Sequence, residues 1–313
     1  MKTILVAGGC GFIGSNFIRR NIESNRIICV DNFITGREEN LKSLQSHDNF
    51  QLIHHDIINP LVFDEKLDYI LNFACAGSPP KYQIDPIHTI RTNAIGVDNL
   101  LKLAKKNNSI FFQSSTSEVY GDPSISPQNE SYNGSVNCFG ERSCYDEGKR
   151  LAETLCLEYN RKYNVDIRIA RIFNTYGPYM DPNDGRVVTN FLSQVIENKP
   201  LTVYGSGNQT RSFCFIDDLL DGIESLVFQD KNNITNTPIN LGNPMEFTII
   251  ELINEISNIF NIKPQILYKD LPMDDPLQRK PDITKARDLL GFNPNVGLSE
   301  GLKKTYDYIL EVL

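Results

Sequence analysis

The chain of 313 residues has no apolar run approaching the length of a membrane span. Its start, Met1 to Ala7, meets Gly8-Gly9 after four apolar residues, which reads as a first strand and not as a targeting segment. Basic residues are outnumbered, 31 Lys plus Arg against 39 Asp plus Glu, for a net charge of −8. An acidic chain repels phosphate backbones, so neither nucleic acid nor an anionic membrane surface is an expected partner. The seven cysteines are odd in number, scattered, and contain no Cys-x-x-Cys. The four histidines include only one adjacent pair, His54-His55, whose side chains point to opposite faces of a strand. No metal site is expected, and reduced thiols point to a cytoplasmic protein. No internal repeat or low-complexity tract is present. Disorder is excluded by an ordinary composition, 40% hydrophobic and 22% charged.

What is there is an alternation. Short apolar runs at Ile4–Ala7, Ile27–Val30, Gln51–Ile53, Tyr69–Phe73, Ile110–Gln113 and Ile167–Ala170 read as buried strands. Helical patterns lie between them, notably Ile87 to Lys106 and Tyr145 to Tyr163. Such a succession predicts an α/β fold with a doubly wound parallel sheet. The first of these helices places Ile90, Val97, Leu101 and Ala104 on one face and Ile95, Leu100 and Leu103 on another, so one face is expected on the sheet and the other on a partner. After Arg171 prolines and glycines crowd and elements shorten. The predicted division is a nucleotide-binding domain over 1–172, to which 212–230 returns, and a smaller irregular lobe over 173–313. An amphipathic helix is expected at the C-terminal end, from the spacing of Leu298, Leu302, Tyr306, Ile309 and Leu313.

Gly8, Gly11 and Gly14 follow the first strand and open a helix at Phe12-Ile13. Glycines there let the backbone approach a pyrophosphate at the helix N-terminus. Asp31 ends the second strand, where a carboxylate accepts from a ribose 2′-hydroxyl and repels a 2′-phosphate, so NAD is expected over NADP. Asn32 adjoins it, and Asp56-Ile57 after the third strand are candidate adenine contacts. At the end of the fifth strand stands a cluster of hydroxyls, Ser114-Ser115-Thr116-Ser117, followed by Glu118. Tyr145 and Lys149 then lie four apart on one helix face, where an ammonium can lower a phenol pKa. A Tyr-x-x-x-Lys pair alone is common surface decoration. With the glycine loop and hydroxyl cluster upstream it becomes a proton acceptor beside a nicotinamide.

These pieces together resemble the extended short-chain dehydrogenase/reductase family, and within it the UDP-glucuronate decarboxylases (UDP-xylose synthases). The similarity runs through Asp31-Asn32-Phe33, Thr35-Gly36-Arg37, Tyr82-Gln83, Ser115 to Pro123, Ser143 to Arg150, Ala170 to Pro178, Asp184 to Val188, Leu201 to Gly205, Asn240 to Pro244, Asp274-Asp275-Pro276 and Arg279 to Ile283. The resemblance implies a Rossmann-type fold with a UDP-sugar lobe, a bound NAD that is recycled, and a homodimer paired through helices. It also implies that Tyr145 is the base at the sugar C4 with Lys149 its partner and Thr116 bonding the sugar hydroxyl. Glu118 and Arg279 would stand at the C5 and carboxylate end, and Asn174, Arg186, Tyr204 and Arg211 would hold the UDP. Related 4,6-dehydratases carry an aspartate where this chain has Ser117, and a serine cannot readily protonate a departing hydroxyl.

Two loops depart from that family, Ala74 to Lys81 and Tyr132 to Phe139; the second lacks the usual tryptophan, a residue absent from the whole chain. Both loops face the sugar in the family, so the scaffold is better defined than the sugar. UDP-N-acetylhexosamine chemistry at C4 and C5, a UDP-sugar 4-epimerase, or a catalytically dead NAD-binding sensor are the alternatives.

Overall fold

The computed structural model describes residues 1–230, 236–270 and 278–313. Strands β1 (Lys2–Ala7), β2 (Asn25–Asp31), β3 (Phe50–His54), β4 (Tyr69–Asn72), β5 (Ile110–Thr116) and β6 (Ile167–Ile172) coincide with the expected apolar runs. Two short strands follow, β7 (Thr175–Tyr176) and, after further elements, β11 (Ile239–Leu241). The central sheet has seven strands in the order β11-β6-β5-β4-β1-β2-β3, all parallel. The order reverses between β1 and β4, the crevice where doubly wound folds bind ligands.

Strand periodicity explains the layers. Ile4 and Val6 of β1 face one core, while Leu5 and Ala7 face the other. Helix α1 (Phe12–Asn21) contributes Phe17 and Ile18 to the first layer. The second is filled by α4 (Val97–Asn107) and α5 (Ser143–Tyr163), through Leu100, Leu101, Ala104, Ala152 and Cys156. Before α4 come the single turn α2 (Pro79–Tyr82) and helix α3 (Pro86–Arg91), whose N-cap Asp85 accepts from His88 N at 2.9 Å.

One expectation is corrected here. A π turn at Thr92–Gly96 separates α3 from α4. A wide turn of this kind adds a residue and rotates every later face by about 100°. The 3.6-residue pattern therefore does not carry through it. Ile90, before the turn, is 42% exposed beside Ile87 and Ile95; Leu100 and Leu103, expected on a second face, follow the turn and are buried with Val97 and Leu101, their i, i+3 and i+4 neighbours. The turn also presents Asn93 to α5 at Gly148, where a Cβ would stand 3.2 Å from the asparagine's Cβ.

The second half of the chain returns to the central sheet. Strand β10 (Cys214–Phe215) pairs with β7, and α7 (Ile216–Phe228) packs on the sheet; β11 then joins the sheet edge beside β6. The rest of the second half comprises α6 (Val187–Ile196), β8 (Leu201–Tyr204), β9 (Thr210–Ser212), β12 (Glu246–Thr248), α8 (Ile249–Phe260), β13 (Ile266–Lys269), β14 (Gln278–Arg279), α9 (Thr284–Leu290) and α10 (Leu298–Val312). Helix α10 forms as expected and buries Leu302 and Ile309, with Thr305 beside Tyr306 on the same stripe, while Leu313 at its end is 57% exposed. Strand β9 lies between β12 and β14, in register Arg279 to Arg211. The Asp274-Asp275-Pro276 motif lies outside the described residues. No helix of the described residues is long and apolar enough to cross a membrane.

Beneath β5 and β6, Glu153 accepts from Arg171 Nε at 2.9 Å and Nη2 at 2.8 Å, and from Ser115 Oγ at 2.5 Å. Removing one partner of a buried pair strands the other charge. Glu153→Ala should lower the free energy of unfolding by about 3–5 kcal/mol, measured by chemical denaturation.

Candidate active site

The glycine loop is shaped by close contact. Gly8 has φ +74°, and a Cβ on it would stand 2.6 Å from the backbone nitrogen of Ala74 at the end of β4. Gly11 caps α1 without a side-chain hydrogen bond, so the first-turn N–H groups of that helix face the cleft. Such a cradle fits a pyrophosphate. Asp31 is buried, its Oδ2 accepting from Cys10 N and its Oδ1 from Phe33 N, each at 2.9 Å. Burial raises its carboxyl above the usual range, against those backbone bonds. Gly36 lets the chain pass so close that a Cβ would lie 2.6 Å from Asp31 Oδ1. Arg37 adds a guanidinium nitrogen, Nη1, that is buried without a hydrogen-bond partner on the same cleft wall.

A single cleft of about 590 Å³ runs from this cradle across the carboxyl ends of the strands. Gly8, Gly11, Phe12, Ile13, Gly14, Asp31, Asn32 and Ile57 line it at one end, and Asn174, Arg186, Tyr204 and Arg211 at the other. Thr116, Ser117, Glu118, Tyr145, Lys149 and Arg279 lie between. Asp56 stands behind the wall: its carboxylate accepts from Asn32 Nδ2 at 2.9 Å and Ile58 N at 3.0 Å, and meets His88 Nε2 at 2.7 Å. Ile57 and His88 are what the cleft meets there.

In the middle, Tyr145 lies flat against Tyr82, with centroids 4.9 Å apart and planes 4° from parallel. Lys149 Nζ donates to Ser114 O at 3.0 Å and stands 5.7 Å from the Tyr145 ring centroid. Burial pushes the Tyr145 phenol well above its ordinary range, as does Cys75, while the hydrogen bond with Thr116 pulls it back. Burial also lowers the Lys149 ammonium, opposed by Cys75 and by Glu153 one turn along α5. Glu118 Oε2 accepts from Arg142 Nη2 at 2.6 Å and from Arg279 Nη2 at 3.2 Å. Burial opposes its charge, yet Arg279, Arg142 and Arg211 together hold the carboxyl below the usual range. Arg279, only 1% exposed, also donates Nη1 to Ser117 O at 2.8 Å. Arg186 pairs with Asp184 at 2.5 Å. Among the described residues no group of His, Cys, Asp and Glu is placed to hold a metal ion.

Sequence reasoning missed Arg142 and Tyr82 as site residues. Arg142 precedes Tyr145 by three residues, one helical turn, and that spacing was the available signal. Tyr82 is brought in by α2 alone.

A glycine-cradled nucleotide end, a Tyr–Lys pair at the sheet's carboxyl edge and an arginine-rich far end have a counterpart among known families. Residues 4–242 match the NAD dependent epimerase/dehydratase family. The chain belongs to that family. It is 50% identical over 301 residues to UDP-glucuronic acid decarboxylase 5 of Arabidopsis thaliana, covering 96% of this chain and 86% of the relative. To UDP-glucuronic acid decarboxylase 1 of Danio rerio it is 47% identical over 308 residues, covering 98% and 72%. Among solved structures it is similar to the UDP-glucuronic acid 4-epimerase of Bacillus cereus in complex with UDP-glucuronic acid and NAD. The TM-score is 0.87, at 28% identity, with 99% of this chain and 100% of the epimerase covered. The cofactor is NAD, and the Asp31 setting is consistent with it.

Heat-released nucleotide from purified protein should be NAD. Asp31→Asn should weaken NAD binding about 10- to 100-fold, since a hydrogen bond to a charged group is worth about 1.5–3 kcal/mol, read by titration calorimetry on stripped protein.

Proposed function

We propose that this enzyme decarboxylates UDP-glucuronate to UDP-xylose. The observation that carries the reading is the setting of Glu118 between Arg142 and Arg279, beside Tyr145 and with Ser117 where a dehydratase has an acid. Bound NAD+ supplies the hydride acceptor at C4 and takes no net part in the balance. Tyr145 takes the C4 hydroxyl proton, its phenolate favoured by the Lys149 ammonium and by the Thr116 hydrogen bond. The sugar is then a β-keto acid. The C5–C6 bond breaks, its electrons pass into the C4 carbonyl as an enolate, and carbon dioxide leaves. Hydrogen bonds from Tyr145 and Thr116 stabilise the enolate oxygen. C5 takes up a proton, and hydride returned to C4, with the Tyr145 proton returned to the C4 oxygen, would complete UDP-xylose.

Arg186, Arg211, Asn174 and Tyr204 hold the UDP in this reading; guanidinium forks suit two phosphates on an acidic protein. Arg279 orients the departing carboxylate and helps manage the C5 proton, because a tighter grip would stabilise the ground state. The loop Ala74 to Lys81 lines the sugar end and keeps open a second substrate class, a UDP-N-acetylhexosamine. The exposed Ile84, Ile87, Ile90 and Ile95, with Leu151 of α5, form an apolar surface suited to a homodimer. All seven cysteines are unpaired, which fits the reducing cytoplasm.

UDP-glucuronate labelled at C6 should release labelled carbon dioxide; no release, with turnover of a UDP-N-acetylhexosamine, overturns the assignment. Tyr145→Phe should lower kcat on the order of 10²- to 10⁴-fold while leaving UDP-sugar affinity within a few-fold, followed by product mass spectrometry and calorimetry. Light scattering at micromolar concentration should give a dimer, and a stable monomer would count against the helix pairing.

A further inference from the structure

The turn α2 meets the loop before α6 at the mouth of the cleft, through two contacts that have no part in the C4 chemistry. Lys81 Nζ of α2 stands 3.2 Å from Asp181 Oδ2, and both residues line the cleft. Their side chains are 29% and 25% exposed, so the pair is partly withdrawn from water. Asp181 Oδ1 accepts from Asn183 N at 2.9 Å, which leaves Oδ2 for the lysine. One residue back on α2, Pro80 packs on Gly185, where φ is +92° and a Cβ would stand 2.8 Å from the proline Cγ. The two segments thus touch twice, once by charge and once by packing.

Each segment is anchored to a different part of the dinucleotide site. On the Asp181 side, Asn40 Nδ2 donates to Cys10 O of the glycine loop and to Tyr179 O, each at 3.1 Å, and Asn16 Nδ2 of α1 donates to Pro178 O at 2.9 Å. On the Lys81 side, Tyr82 covers the ring of Tyr145. The pair therefore joins the phosphate cradle to the reactive tyrosine, the two points that a bound dinucleotide spans from its pyrophosphate to its nicotinamide. The α2 turn is also prepared for an occupant. Ser78 Oγ and Tyr82 OH are both buried on the cleft wall without a hydrogen-bond partner among the described residues, and hydroxyls left unmet by the protein are places for the polar atoms of a ligand.

We propose that Lys81 and Asp181 form a clasp that has to part before the dinucleotide can leave, and that it retains the reduced cofactor between the two hydride transfers. The need is chemical. The hydride taken from C4 returns to the same sugar, so NADH lost midway strands a 4-keto sugar on an enzyme with no hydride to give back. One partly exposed ion pair suits the task, because its parting costs little and its closing slows release without locking the site. Both are positioning residues, since neither stands at a reacting atom. The proposal rests on the recycled NAD of the proposed function and holds whichever UDP-sugar is turned over.

The test is stopped-flow release of NADH. Protein loaded with NADH is mixed with excess NAD+, and the loss of bound-NADH fluorescence gives the rate. Lys81→Met and Asp181→Asn should each speed release about two- to fivefold, the range for an ion pair of this exposure. The double neutral variant should be no faster than either single, because the same pair is lost in all three. Lys81→Asp combined with Asp181→Lys rebuilds the pair in reverse and should bring release back toward the wild-type rate, which a merely structural role would not do. Lys199→Met removes the same charge from a surface pair with Glu197 and should leave release unchanged. Wild-type release rates in both single variants overturn the proposal, as do additive effects in the double variant or a reversed pair as fast as the singles. Lys81→Gln and Asp181→Ala take the place of a neutral variant that does not fold. Failure of the decarboxylase reading is recognised separately, by the absence of labelled carbon dioxide from the wild-type enzyme, since NADH release needs no sugar.

Discussion

The contact between Glu118 and Arg279 is the constraint on which the site depends. The two residues are 161 positions apart, yet their side chains meet at 3.2 Å with the guanidinium almost wholly buried. Arg279 reaches this place because β14 runs parallel to β9 and hands the side chain into the cleft, where Ser117 O accepts its second nitrogen. Neither charge tolerates burial alone, and losing one partner of such a pair costs about 3–5 kcal/mol. The pair therefore fixes β14 against the turn that follows β5. Arg142 Nη2 meets the same carboxylate at 2.6 Å, so Glu118 is held from two elements.

Around that contact, precision comes from what is small. Gly8 brings the loop onto Ala74, and Gly148 brings α5 onto Asn93 at the π turn. That approach places Tyr145 and Lys149 against the end of β5, where Ser114 O anchors the ammonium. The Tyr82 ring then covers Tyr145, so the phenol sits where burial opposes its ionisation until positive charge arrives. The mouth is held by polar and packing contacts between lobes. Lys81 Nζ pairs with Asp181 at 3.2 Å, and Gly185 leaves space for Pro80. The loop that departs from the decarboxylases is thus tied to the wall of the UDP end.

The local pattern was sufficient wherever a residue's surroundings follow from its own strand or helix. Buried runs of β-branched residues specified the strands, because a parallel sheet covered on both faces demands them. The glycine loop, Asp31, the hydroxyl cluster and the Tyr145–Lys149 spacing were the candidates for the cofactor end and the reactive pair, and all of them line one cleft. Resemblance over long stretches added the arginines of the far end, which no periodicity could single out.

Only the tertiary structure decided the remainder. A π turn shifted the phase between Pro86–Arg91 and Val97–Asn107, taking Ile90 off the face that Val97, Leu100 and Leu101 bury; periodicity at 3.6 residues per turn cannot see such an insertion. Asp56 found its acceptor sites taken by Asn32, His88 and Ile58, a network assembled from three segments. Arg142 gained its meaning from Glu118, which lies on another element. Side-chain charge is written in the sequence. The field each charge experiences is a property of the folded neighbourhood, because burial and long-range partners set it.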